Sequence, residues 1–391
     1  MSTNKMASKV EDKNSNQHMK VAVKSASYNM ILQVIFRMIT FSMNALMLRF
    51  LTKETLGVMN VRLMLLYSTI LFISREAFRK ACLSQNESKV TLDRMKLKNV
   101  INLTWLCSIV GIISSGVLVF IWITVLPKPP QNIFLQYQFA TFLVALSCIL
   151  ELVAEPFWIM SQRNYFLSLK VIFEGIYLAV RCFVSAFLVV LFPNQGILMF
   201  GISFVLAACI YSTSYIVYFW NYMSQKETKE NNEFASLESF RDLLPDFQME
   251  QMIDHQYFNL IVSFYKQSML KQFLTEGERY IMTIFGVLTF SQQGVFDVIN
   301  NLGSLAARFI FMPIEETYYT YFSKVLTRGK SAENQKEENL NEAANSLFLV
   351  LKFVSLVGAV ILVFGFSYSF LLLDLYGGSI LSENEGKLFL S

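Results

Sequence analysis

Charged and amide side chains recur inside long apolar stretches of this 391-residue chain at spacings that place them on single helical faces. Gln33, Arg37, Thr40 and Asn44 follow steps of 4, 3 and 4, and Lys170, Glu174, Tyr177, Arg181 and Ser185 repeat that rhythm. Asp297, Asn300, Asn301, Ser304, Arg308 and Glu315 form a third stripe. An Arg or Lys at the centre of a membrane helix costs roughly 2.5–3.5 kcal/mol on insertion scales, so such stripes belong against a bundle interior or a wet cavity. The fork of donors on a guanidinium matches phosphate oxygens, which makes Arg37, Arg62, Arg308 and Arg181, with Asn44, candidates for holding a diphosphate. Arg75, Arg79 and Lys170 are candidates for the cytoplasmic entrance to such a cavity. Glu155, Glu174, Lys271, Glu276, Glu278, Arg279, Asp297 and Glu315 read as structural or coupling charges, with Asp297 open to a role in cation or proton coupling. The alternative is that the charges pair with one another to fix helix packing. Lys170 with Glu174, four apart, and Arg279 beside Glu276 and Glu278 fit that reading. Arg37 and Arg308 have no opposite charge within a turn on their own helices, which favours the cavity.

These residues need membrane helices to hold them, and the composition supplies them. Hydrophobic residues make up 54% of the chain and charged residues 16%, against about 25% in soluble proteins, and mean hydropathy is +0.44. Long apolar runs, rather than segments of about ten alternating residues, exclude a membrane barrel. Nine spans are expected: 28–50, 58–76, 100–126, 133–159, 167–192, 196–220, 268–289, 295–321 and 345–373. Residues 1–27 form a polar, Lys-rich tail without a signal-peptide core, expected to be disordered and cytoplasmic. A lobe of six spans follows at 28–220, then a polar cytoplasmic linker at 221–262, then about three spans at 263–391. Lys and Arg concentrate in alternate segments (1–27, 75–98, Arg163 and Lys170, 221–267, 323–343), whereas the other side carries only Lys53, Lys128 and Lys387. That asymmetry places the N-terminus in the cytoplasm. It also explains the net charge of +4 without nucleic acid, because the basic residues are dispersed between apolar spans. The sequons at Asn86 and Asn102 fall on the cytoplasmic side and at a span, where neither is glycosylated.

No metal site or cofactor is expected: the five cysteines lack CxxC spacing, and His18 and His255 stand apart from other ligands. No GxxxxGK[ST] sequence occurs, so transport would be passive or ion-coupled. An internal repeat joins the two halves. Leu51-Thr52, Gly57-Val58 and Val61 recur as Leu288-Thr289, Gly294-Val295 and Val298, and Asn60 corresponds to Asp297. Both copies enter a span in the same orientation, the mark of parallel six-helix repeats. The second repeat would then hold three of six helices, so a C-terminally truncated polypeptide is expected.

The stretch RFLTKETLGVMNVRLMLLYSTILFISREAFRKACLS (49–84) and AEPFWIMSQ (154–162) resemble the eukaryotic dolichol-diphosphate-oligosaccharide translocation family of the endoplasmic reticulum. KQSMLKQFLTEGERYIMTIFGVLTFSQQGVFDVINNLGSLAARFIFMPIEETYY (266–319) and FGFSYSFLLLDLYGGSILS (364–382) continue the similarity, which covers about 28–382. The resemblance implies a fold of the multidrug exporter and polysaccharide-lipid flippase superfamily, an all-α polytopic membrane protein of two six-helix lobes around a central cavity. It implies movement of Man(5)GlcNAc(2)-PP-dolichol from the cytosolic to the luminal leaflet for N-glycosylation, with the lipid-linked oligosaccharide and membrane lipids as partners and no catalytic motif. Arg37, Arg62, Arg75, Arg79, Glu155, Arg279, Arg308 and Glu315 sit in the shared motifs. An accessory role in the same pathway, or an ion-coupled exporter of small molecules on the same fold, are the alternatives.

Overall fold

The computed structural model describes residues 35–36, 38–84, 94–163, 166–224, 240–245, 255–305, 310–311, 314–315, 318, 321–322, 325–326 and 337–378. The chain divides into two compact units, Met1–Gly294 and Val295–Ser391. Among the described residues every regular element is helical.

The first unit holds α1 (Met38–Leu48), α2 (Lys53–Leu83), α3 (Arg94–Phe120), α4 (Gln131–Val153), α5 (Glu155–Arg163), α6 (Leu167–Leu191), α7 (Gly196–Ser224) and α8 (His255–Phe285). A ninth helix, α9 (Phe290–Gly303), begins in the first unit and ends in the second, which also holds α10 (Glu337–Gly377). Among the described residues six helical stretches are long and apolar enough to cross a membrane: Lys53–Leu83, Lys98–Val125, Gln131–Arg163, Ser168–Leu191, Pro193–Ser224 and Asn339–Gly365. Five of the nine expected spans differ from their expected bounds by five residues or more at an end, the second running from Lys53 to Leu83. The first is described as helical at 35–36 and from Met38 to Leu48. The seventh is the C-terminal part of α8, whose Lys271, Glu276, Glu278 and Arg279 keep its hydropathy low. The eighth is helical over α9, and most of its second half lies outside the described residues. The ninth extends at both ends into α10, whose 41 residues give about 60 Å of helix. That is twice the thickness of a hydrocarbon core.

Small residues let α4 and α7 approach closely, as membrane helices do without a hydrophobic drive between them. A Cβ placed on Gly201 would stand 3.2 Å from the Ala140 Cα and 3.1 Å from the Leu143 Cβ. α6 shows the polarity of a membrane bundle. Ile172, Ile176, Phe183 and Phe187 are exposed on one face, while Tyr177 and Ser185 are buried on the other.

The segment expected as a free linker at 221–262 is structured at both ends. α7 runs on to Ser224, and α8 begins at His255 and packs against the end of α2. Between them Phe240–Leu243 forms a 3-10 turn held on the first unit. Trp105 Nε1 donates to the Leu243 carbonyl at 2.9 Å, Leu243 is fully buried, and Phe240 stacks on Phe157. Apolar side chains at 240 and 243 had a surface to cover, which a reading of the segment's polarity alone does not show.

Candidate functional site

α2 carries most of the site, and its winding is unusual. Two stretches, Gly57–Leu63 and Phe72–Glu76, are π-helical, as is Ile121–Val125 after α3. Such segments bond i to i+5, widen the turn and redirect side chains. The second stretch aims Arg75 and, just beyond it, Arg79 at the carboxylates of α4 and α5. Arg75 Nη1 lies 3.2 Å from Glu151 Oε2 and 3.6 Å from Glu155 Oε1. Arg79 grips Glu155 with two parallel bonds, Nε to Oε2 at 2.7 Å and Nη2 to Oε1 at 2.6 Å. Its guanidinium lies 3.7 Å from the centre of a Trp158 ring, and the Trp158 indole N–H donates to Glu174 Oε1 at 3.1 Å. Tyr67 Oη donates to Glu151 Oε1 at 2.7 Å and lies 3.1 Å from Tyr177 Oη. Both glutamates are buried, so the two arginines neutralise charges that would otherwise be stranded.

The stripe on α6 faces this network. Lys170 Nζ sits 5.3 Å from a Trp158 ring centre, so Lys170 and Glu174 meet through the same indole rather than by a salt bridge with each other. Arg181 lies over the rings of Phe204 at 4.8 Å, Tyr177 at 5.5 Å and Tyr67 at 6.0 Å, an aromatic cage for a cation. Arg75 and Arg79, expected at an open entrance, have their charge taken up by glutamates. The reason is three-dimensional: Glu151 and Glu155 are about 76 residues away in sequence and a few ångströms away in space.

Beyond the network the same end of α2 is open. Glu76 pairs with Lys80 at 3.2 Å and with Lys271 of α8 at 3.6 Å, and Lys80 Nζ donates to Ser268 Oγ at 2.8 Å. A cavity of about 340 Å³ is lined there by Glu76, Arg79, Lys80, Leu83 and Phe264. Arg279 pairs with Glu276 at 3.0 Å, and Glu278 is exposed on the same helix.

Towards the N-terminal end of α2, Arg62 is 1% exposed, and its Nε and Nη1 meet no hydrogen-bond acceptor. Its guanidinium lies 5.1 Å from the centre of the Phe290 ring. Its carbonyl accepts from Trp122 Nε1 at 3.1 Å, and the Trp122 carbonyl accepts from Tyr137 Oη at 3.1 Å. The repeated glycines meet here. A Cβ on Gly57 would overlap the Phe290 carbonyl and stand 3.1 Å from Gly294 N. One on Gly294 would overlap the Lys53 carbonyl and stand 2.9 Å from Gly57 N.

The remaining expected site residues are scattered. Asn44 and Glu315 are exposed, and Arg37 and Arg308 lie outside the described residues. In the second unit Asp297 is 4% exposed and accepts from Asn301 Nδ2 at 2.8 Å, so two members of the α9 stripe do meet. Tyr67 and Trp158 are the residues that sequence reasoning passed over. An aromatic ring in an apolar helix looks like core until its Oη or indole N–H is found on a carboxylate. No group of three or more His, Cys, Asp or Glu side chains that could hold a metal ion occurs among the described residues.

A family model described as Rft protein matches residues 21–391. A Xenopus tropicalis protein named Man(5)GlcNAc(2)-PP-dolichol translocation protein RFT1 is 44% identical over 370 residues, covering 94% of this chain and 67% of its own length. The Mus musculus protein of that name is 40% identical with the same coverage. The Drosophila melanogaster protein is 36% identical over 376 residues, covering 90% of this chain and 67% of its own. No solved structure matches.

Proposed function

The chain belongs to the Rft protein family, and from that premise we propose that it moves Man(5)GlcNAc(2)-PP-dolichol from the cytosolic to the luminal leaflet of the endoplasmic-reticulum membrane. It is a membrane transporter of that family rather than an enzyme. The observation that carries the substrate assignment is the identity of 40–44% with proteins bearing that name over nearly the whole chain. The geometry adds a physical reason. Arg75 and Arg79 are spent on glutamates, whereas Arg62 and Arg181 lie against aromatic rings, leaving cationic character for an anionic headgroup.

The architecture that goes with this reading is two lobes related by parallel repeats, with the N-terminus in the cytoplasm. The repeat at Gly57 and Gly294 and the distribution of Lys and Arg support it. A lateral opening between lobes would let the polyprenyl tail remain in lipid while the sugar headgroup crosses. The accessory reading is favoured by one feature: the network around Glu151 and Glu155 is satisfied internally, as a packing device would be. The test is the profile of dolichol-linked oligosaccharides in cells depleted of the protein, with this chain added back. Accumulation of the five-mannose species, reversed by the chain, is expected. An unchanged profile on depletion would sink the translocation reading.

A further inference from the structure

Gly57 and Arg62 are five residues apart within one π-wound stretch. Because π winding bonds i to i+5, they are neighbours one turn apart on the same face, which ordinary α winding would not achieve. On α9, Phe290 and Gly294 are four apart, one α-helical turn. The two pairs interlock: glycine meets glycine with no room for a Cβ, and the Phe290 ring comes over the Arg62 guanidinium. The crossing of the repeat and the cap on the arginine are therefore one contact.

What the cap covers is an unfinished set of donors. Arg62 Nε and Nη1 are buried without an acceptor, and the nearby Trp122 and Tyr137 donors are committed to backbone carbonyls. A guanidinium out of water normally has an anion in its fork, as Arg79 has Glu155. Here the face of an aromatic ring is a weak substitute. The bonds through Trp122 and Tyr137 brace the backbone at Arg62, so the donors keep their place if the ring leaves.

We infer that Arg62 is a latched oxyanion site: when the Gly57–Gly294 crossing opens, Phe290 leaves the guanidinium, and its Nε and Nη donors take a phosphate-type oxyanion. The inference rests on the translocation reading only for the source of that oxyanion, the diphosphate of a polyprenyl carrier. Closed, the site is silent; open, it competes for the headgroup. A latch of this kind ties anion binding to the separation of the two repeat motifs.

The test is binding of two probes, inorganic pyrophosphate and farnesyl diphosphate, to the full chain in nanodiscs. Phe290→Ala should raise the apparent affinity about tenfold, because the open state no longer competes with the cap. Arg62→Gln added to Phe290→Ala should abolish the gain. A gain confined to farnesyl diphosphate assigns the lipid headgroup as ligand, and a gain with both probes assigns the phosphate chemistry itself. No gain, or a gain that survives Arg62→Gln, overturns the inference. A second measurement guards against misfolding: Arg62→Met, which removes an unpaired buried charge, should raise the thermal midpoint, and a fall would show that the guanidinium is already satisfied at rest. Arg62-dependent binding alongside an unchanged oligosaccharide profile would keep the site and discard the translocation reading. An altered profile without Arg62-dependent binding would do the reverse.

Discussion

Arg79 and Arg62 show how differently one residue type behaves in one helix. Arg79 is bidentate to a buried carboxylate and stacked on Trp158, so Arg79→Ala leaves Glu155 only the longer contact with Arg75 at 3.6 Å and should destabilise the protein by about 3 kcal/mol. Thermal unfolding of the detergent-solubilised variant measures this. Arg79→Lys keeps the charge but loses the fork and most of the stacking, and should recover less than half of that loss. The double change Arg79→Met with Glu155→Met removes both charges and should sit much closer to the parent than either single change. A double-mutant sum that is simply additive would show that the pair is not coupled. Trp122→Phe deletes the indole bond to the Arg62 carbonyl, which keeps its place in the helix ladder, and should cost about 0.5–1.5 kcal/mol, the net worth of one hydrogen bond.

At the scale of elements, the informative contacts are those that a periodicity argument cannot see. Gly57 is a close-approach glycine, and Gly57→Leu must push α9 from α2 at their crossing. The expected outcome is a lower midpoint and a new protease-sensitive bond near Phe290, read by mass spectrometry of limited digests. The turn at Phe240–Leu243 is a second such contact. Leu243→Asp places a carboxylate in the fully buried site beneath Trp105 and should release the segment, seen as faster cleavage after Arg241 by trypsin. The aliphatic face of α6 tolerates exchange of Phe183 for Leu with little effect, because it is exposed beside the other apolar residues of a membrane surface. The opposite face, with Lys170, Glu174 and Arg181 around the Trp158 and Tyr67 rings, does not.

For the whole molecule, the alternation of Lys and Arg predicts that a tag at the N-terminus is reached by protease only from the cytosolic side of sealed microsomes. It also predicts that endoglycosidase treatment leaves the mobility unchanged, since Asn102 is buried in α3. Much of the architecture was legible before any coordinates. Apolar run length gives the membrane spans from Lys98 to Ser224 closely, because a helix in lipid must satisfy its own backbone and so declares itself locally. The α6 stripe was legible for the same reason, and Gly57 and Gly294, which the sequence matches to each other, meet in the structure. Where charges interrupt the run, as in α8, hydropathy alone falls short, and the apolar anchor at Phe240–Leu243 hides inside a segment of polar, linker-like composition. The roles of the charges were not legible. Sequence offers Arg62 as a headgroup cation and Arg75 and Arg79 as entrance cations, and nothing in it says which of them meets a carboxylate. Tertiary structure brings Glu151 and Glu155 to two of them, lays Phe290 over the third, and winds α2 as a π-helix so that Gly57 and Arg62 share a face. Local sequence determines how a segment meets lipid, because lipid presents the same apolar solvent everywhere. Which charge is quenched depends on which distant helix arrives beside it, and only the packed bundle decides that.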